Sequence, residues 1–328
     1  MRRVRDDAFI EVDYNQESID EGRVTEFLRR VRSPIVTVDD IIDVMSFDKV
    51  PSDTDLRDLL EMGREQTRLD RQFYYENDPS FNEQNKHTIG KTTQAKAMMY
   101  YRLAHQIRHF DQEMALLLMH YGKKVSGGAE IHYNAEIGTP AYGDHLTGVV
   151  IGETFKAGDR LSILHGGTGG AASPMTAEKG SQRHPRLGDD NTMYTGVNLL
   201  GSFTSGDEVI FGSGVTVFGD DLKIGEGCRF GLGCHVSGHG MIIGDNVIIG
   251  EKSECIGHGI RIGNDVRLGK GVTVIGNDLV IPNGVRIPDG TYCELQEEIE
   301  ALCRGYKSDK KVSKAKFSMH PKHHDKTA

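Results

Sequence analysis

The chain has 328 residues, enough for two domains, and its 48 acidic against 39 basic side chains leave a formal charge of −9. That balance excludes nucleic-acid binding across a broad face, which needs clustered positive charge. No apolar run is long enough to span a bilayer and no apolar leader follows Met1-Arg2-Arg3, so the expected location is cytoplasmic with no membrane partner. The five cysteines (Cys228, Cys234, Cys255, Cys293 and Cys303) form no Cys-x-x-Cys pair, and their odd number fits free thiols in a reducing compartment.

Up to residue 125 glycine is scarce and apolar residues recur at helical spacing. Val24, Phe27, Leu28 and Val31 make one such set, and Ile41, Ile42, Val44 and Met45 the next. Leu56, Leu59, Leu60 and Met62 follow, then Ala97, Met98, Tyr101, Leu103 and Ala104, then Met114, Leu117 and Leu118. Residues 1–125 are therefore read as an α-helical domain, with a polar, irregular stretch from Asn77 to Lys91.

Beyond Ile131 the pattern changes to a repeat. An apolar residue followed by glycine recurs about every six positions: Ile137-Gly138, Ile151-Gly152, Leu187-Gly188, Phe211-Gly212, Ile224-Gly225 and Phe230-Gly231. Later the period becomes nineteen, so that Ile224, Ile243, Ile262 and Ile281 align, as do Phe230, Ile249, Leu268 and Ile287. A hexapeptide makes one short strand and one turn, and three of them close a triangular coil of about eighteen residues. The nineteenth residue fits a fixed insertion at one corner. The expected fold is α+β, with a parallel β-helix over 126–294 that stacks one apolar residue on its equivalent a coil away. Residues 295–328 supply a capping helix, with Ile299 and Leu302 on one face, and a basic tail of too few apolar residues to fold alone.

Two stretches break the repeat: GDHLTGVVIGET from Gly143 to Thr154, and QRHP from Gln182 to Pro185. Corner side chains face outward and are free to do chemistry. GDHLTGVVIGET resembles the signature of serine acetyltransferases, Asp-His-Ala-Thr-Gly followed by an aliphatic pair and Gly-Glu-Thr. Arg183-His184-Pro185 matches their Arg-His-Pro, and YRLAH at Tyr101 to His105 matches a motif of their helical domain. Asp78-Pro79 falls at nearly the family's distance before it.

The resemblance implies a left-handed β-helix and an acyl transfer from acetyl-CoA, as co-substrate, to the hydroxyl of serine or a serine-like amino acid. It casts His145 as general base in a direct attack within a ternary complex, without an acyl-enzyme. Glu130 stands where the family has the Asp that orients the base, and either keeps that role or is a solvated surface charge. His184 is the second active-site histidine. Arg183 holds the acceptor's carboxylate, for which a guanidinium fork is suited, while Asp78 and Asp144 take its ammonium. The bland reading of Asp78 is a helix N-cap. Gly166, Gly167, Thr168 and Gly169 would lie along the pantetheine arm of CoA. The resemblance also implies a homotrimer, or a dimer of trimers, with sites between prisms.

The chain departs from the family in three places. The stretch between Ser162 and Arg183 is longer, places Gln182 where an Asp is usual, and includes His165 as a further loop histidine. The β-helix has more coils. The chain ends in Lys-Thr-Ala rather than the Ile that family members insert into O-acetylserine sulfhydrylase, so a cysteine synthase complex is not expected. Alternatives are another donor or acceptor (succinyl-CoA, homoserine, a sugar), a non-catalytic scaffold, or a zinc enzyme like the γ-type carbonic anhydrases using His235, His239 and His258. Those histidines have no ligand spacing, and no metal is expected.

Overall fold

A computed structural model describes residues 53–308, Pro174 excepted. The helices expected before residue 53 and the tail beyond 308 lie outside the described residues. Among those described, no helix is long and apolar enough to cross a membrane.

Among the described residues, three α-helices precede the β-helix: α1 (Asp53–Asn77), α2 (Thr93–Ile107) and α3 (Gln112–Ser126). The second and third begin or end where their sequences provide a cap. The Thr92 side chain accepts the N–H of Ala95, Asp111 accepts that of Met114, and Gly127 closes α3 at φ +72°. Between Asn77 and Lys91, the stretch expected to be irregular, the chain makes a turn and then a 3-10 helix over Lys86–Lys91. Tyr100, Leu103, Ala104 and Ile107 of α2 pack on Met114, Ala115 and Leu118 of α3, all buried.

From Glu130 the chain winds through three parallel sheets in rotation. The first sheet has nine strands, from Glu130–Ile131 to Tyr292–Cys293. The second has eight, from Glu136–Ile137 to Val280–Ile281, and the third eight, from Ala141–Asp144 to Arg286–Ile287. This is the left-handed parallel β-helix of hexapeptide repeats. Its interior is the stacked column read from the sequence: Ile224, Ile243, Ile262 and Ile281 on one wall, Phe230, Ile249, Leu268 and Ile287 on another, all buried. Phe211 and Phe230 stack with centroids 5.2 Å apart. Burying each such side chain stabilises the coil by roughly 1.5–3 kcal/mol.

Strand register locates every departure from the eighteen-residue plan. Asn198 pairs with Thr216, eighteen residues on, whereas Thr216 pairs with His235, nineteen on. The extra residue lies at the corner between the first and second sheets, just before Leu222, and recurs in each later coil. At the same corner, Lys156 pairs with Arg186, thirty residues on, so twelve residues are inserted there. At the corner between the third and first sheets, Asp144 pairs with Leu164 and Val150 with Thr168. Six steps in the first coil therefore match four in the next, and two residues are inserted within 145–149.

A buried polar cluster helps dock the helices on the first coil. The Arg102 side chain, 1% exposed, is bidentate to Asp70 at 2.9 and 3.0 Å. It also donates to the carbonyls of Ile137 and Gly138, and Asp70 accepts the N–H of Ala141. The Tyr101 hydroxyl bonds Ala135 and Ile137, and His105 Nδ1 donates to the Tyr133 carbonyl. The YRLAH motif is thus a joint between domains. At the other end α4 (Gln296–Ser308) closes the stack with Ile299 fully buried, its start held by Glu298 accepting the N–H groups of Glu294 and Leu295.

Candidate active site

His145 sits on the two-residue insertion. In later coils the positive-φ place at this corner is taken by residues such as Gly166, Gly196 and Gly214, and Gly148 holds it in the first. His145 adds a second, at φ +46°, a conformation unusual outside glycine. Its side chain is 77% exposed and lies 3.7 Å from Asp144. The corner is anchored by Leu146, buried beneath it in space that a side chain at 143 would need: a Cβ on Gly143 would meet Leu146 at 2.7 Å.

Asp144 is the last residue of its strand, and the helices bring Asp78 towards it. Tyr74, near the end of α1, packs against Tyr142 with centroids 4.4 Å apart and the rings tilted by 45°, and its hydroxyl donates to the Gly143 carbonyl. Asp78 follows one turn later, its N–H bonded to the Tyr74 carbonyl. It begins no helix; its carboxylate accepts the Ser80 N–H in a turn after α1, which replaces the N-cap reading. Burial, joined by the charges of Asp144 and Asp78, pushes the Tyr142 phenol far above the usual range and keeps it protonated.

Glu130 does not touch His145. Its carboxylate pairs with Lys123 at 2.7 Å, and the carboxylate near His145 is that of Asp144.

The second group lies across the first sheet, at the corner that carries the twelve-residue insertion. Arg183 Nη2 pairs with Glu153 at 2.6 Å, which lowers the Glu153 pKa. Glu153 also accepts from Asn134. His184 is only 6% exposed. Its Nδ1 accepts the N–H of Thr154 and lies 2.8 Å from the Thr154 hydroxyl, which itself accepts the Arg183 N–H. The hydroxyl therefore donates to Nδ1, and the proton of His184 sits on Nε2. Burial, with Arg183 beside it, brings its pKa down to about 4 and holds the ring neutral. The ring lies flat on Gly152, where a Cβ would fall 2.0 Å from Nε2. Gln182 donates its amide to the carbonyls of both Thr154 and His184. A carboxylate there, as in the family pattern, has no proton to offer either carbonyl. Sequence reasoning missed His132, which joins this group through the charges of Glu153, Glu130 and Arg183 and whose pKa burial lowers. The Ile-His pair at 131–132 was its signal.

The four residues assigned to CoA divide. Gly167 and Gly169 face the core, and a Cβ on Gly169 would strike the Phe155 ring at 2.5 Å, so that residue is small for packing reasons. Thr168 alternates outward on the strand, and Gly166 makes the corner turn at φ +69°. The exposed His165 lies on that same corner.

The histidines suggested for zinc do not converge. His235 lies on a strand of the first sheet, while His239 and His258 stack at a corner, centroids 5.4 Å apart. Their Nδ1 atoms accept backbone N–H groups of the preceding coil. Cys234 and Cys255 are buried in the core. Among the described residues no three His, Cys, Asp or Glu side chains gather as metal ligands.

Fold and site define a hexapeptide-repeat β-helix protein with a histidine raised on one corner. No family model matches the chain. It is 38% identical over 126 residues to a serine acetyltransferase of Helicobacter pylori, covering 70% of that protein and 38% of this chain. It is 37% identical over 158 residues to serine acetyltransferase 4 of Arabidopsis thaliana, of which it spans 42%, the match covering 47% of this chain. The chain belongs to the serine acetyltransferase family. A Neisseria gonorrhoeae serine acetyltransferase solved with serine superposes at a TM-score of 0.48 with 24% identity, over 65% of this chain and 80% of that one.

Proposed function

We propose that the protein moves an acetyl group from acetyl-CoA to the hydroxyl of L-serine or a serine-like amino acid. One observation carries the reading beyond family membership. The solenoid departs from its plan by two residues at one corner and twelve at another, and those insertions carry His145 and Arg183-His184.

In the proposed reaction His145 takes the hydroxyl proton as the oxygen attacks the thioester carbonyl. The C–O bond forms, the C–S bond breaks, and the proton passes to the CoA thiolate. Asp78 and Asp144 hold the acceptor's ammonium and Arg183, steadied by Glu153, its carboxylate. His184 acts as a neutral donor through Nε2–H. Direct attack is supported by the cysteines: Cys228, Cys234, Cys255 and Cys293 are buried in the distal coils and Cys303 lies on α4 at the far end, leaving no thiol beside His145.

His145 and Arg183 stand at opposite corners of the first sheet. Six residues at ~3.3 Å each separate such corners by on the order of 15–20 Å, too far for one amino acid to bridge. A second copy, presenting its Arg183 corner to the His145 corner of the first, completes the site. Three such contacts close as a homotrimer.

Thiol release measured across serine, threonine and homoserine, with acetyl-CoA and succinyl-CoA, tests the reading. Serine with acetyl-CoA should react fastest, and His145→Ala should slow it by about 10²–10⁴-fold. Release that depends on no acceptor would end the acyltransferase proposal; an undiminished His145→Ala rate would remove the base.

A further inference from the structure

Tyr142 has no part in the residues matched to the family, yet it stands beside them. It occupies an outward position two residues before Asp144 on one strand, so both side chains leave the same face of the sheet. The Tyr74 ring holds it in place from the helical side, and Tyr74 is itself fixed by its bond to the Gly143 carbonyl. The same helix end delivers Asp78. The charges of Asp78 and Asp144 are both felt at a pair of phenols packed 4.4 Å apart, and Asp144 lies 3.7 Å from the exposed His145. Such a pair suits a cation: aromatic faces attract ammonium groups, and a phenol that keeps its proton can donate to a carboxylate and fix its direction.

We propose that Tyr142 is a positioning residue for acceptor specificity, its phenol orienting the Asp78–Asp144 pair so that the site selects an acceptor bearing a cationic nitrogen near its hydroxyl. The inference rests on the acceptor reading above and deepens it. Neutral acceptors such as sugars lack the group this pocket is built to hold. The charge of Asp144 and Asp78 felt at both phenols agrees with the arrangement.

Tyr142→Phe keeps the ring packed against Tyr74 and removes only the hydroxyl. Calorimetric titration of the full chain and this variant with L-serine and with 3-hydroxypropionate, which lacks the ammonium, separates the outcomes, alongside KM for each substrate. The variant should bind serine about tenfold more weakly and discriminate less between the two ligands. Its KM for serine should rise while KM for acetyl-CoA and the unfolding temperature stay as in the parent, which loss of domain docking alone would not produce. Parent protein that binds serine, with a variant that binds it equally well, would overturn the role of Tyr142 and leave the acceptor reading standing. Parent protein that binds no hydroxy-amino acid would overturn both.

Discussion

Gly152 and His184 show how one missing side chain shapes the site. The imidazole occupies the space a Cβ at 152 would need, so Gly152→Ala should displace the ring and destabilise the fold by about 1–3 kcal/mol. Thermal unfolding together with KM for serine would register both effects. Gln182→Glu is expected to weaken acceptor use at neutral pH and to recover partly on acidification, because only a protonated carboxyl can donate to the carbonyls of Thr154 or His184; a pH–rate profile checks this. Acid should also weaken the fold. His184 is held neutral with its pKa brought down to about 4, against about 6.5 in an unfolded chain. The unfolded chain then binds the extra proton, so this stability is fully present above about pH 6.5 and is lost as pH falls towards about 4, on the order of 3 kcal/mol in all. His105, lowered to about 4 mainly by burial, acts in the same direction. Urea midpoints measured over that range should fall, and less so in His184→Gln. The identities of these residues were legible from the motifs. Their protonation and burial were not, because Thr154 and Gly152 meet His184 only after a full coil has closed.

Among the elements, α2 contributes more to assembly than to chemistry. Arg102 satisfies four acceptors at the joint between helices and solenoid, two on Asp70 and two on the first coil. Removing one partner leaves a buried charge uncompensated, at a cost of about 3–5 kcal/mol. Arg102→Met should therefore loosen the helical domain, seen as proteolysis of α1 and α2 before the β-helix. The YRLAH spacing announced a helix but could not show what lay opposite it. The strands were far more legible: each inward column follows from a fixed period, since stacking repeats the same environment every coil. The nineteenth residue was also readable, though not the corner it occupies, which depends on how the strands register. Glu130 marks the limit of reading by position. It occupies the place of an orienting acid, yet Lys123 at the end of α3 claims its carboxylate.

For the whole molecule, the division of the site between two corners decides how it can work. Sequence order conceals it: His145 and Arg183 are 38 positions apart, and only coil geometry shows that a prism side separates them. In the trimer proposed above, each chain would carry one half of each of two sites. The most direct test mixes His145→Ala and Arg183→Ala chains, dissociates them and lets them reassemble. Each variant alone should be nearly inactive. Random assortment in a closed ring should return about a quarter of the parental rate of serine-dependent thiol release, because one interface in four pairs an intact His145 with an intact Arg183. A mixture as inactive as its components would contradict a site shared between copies.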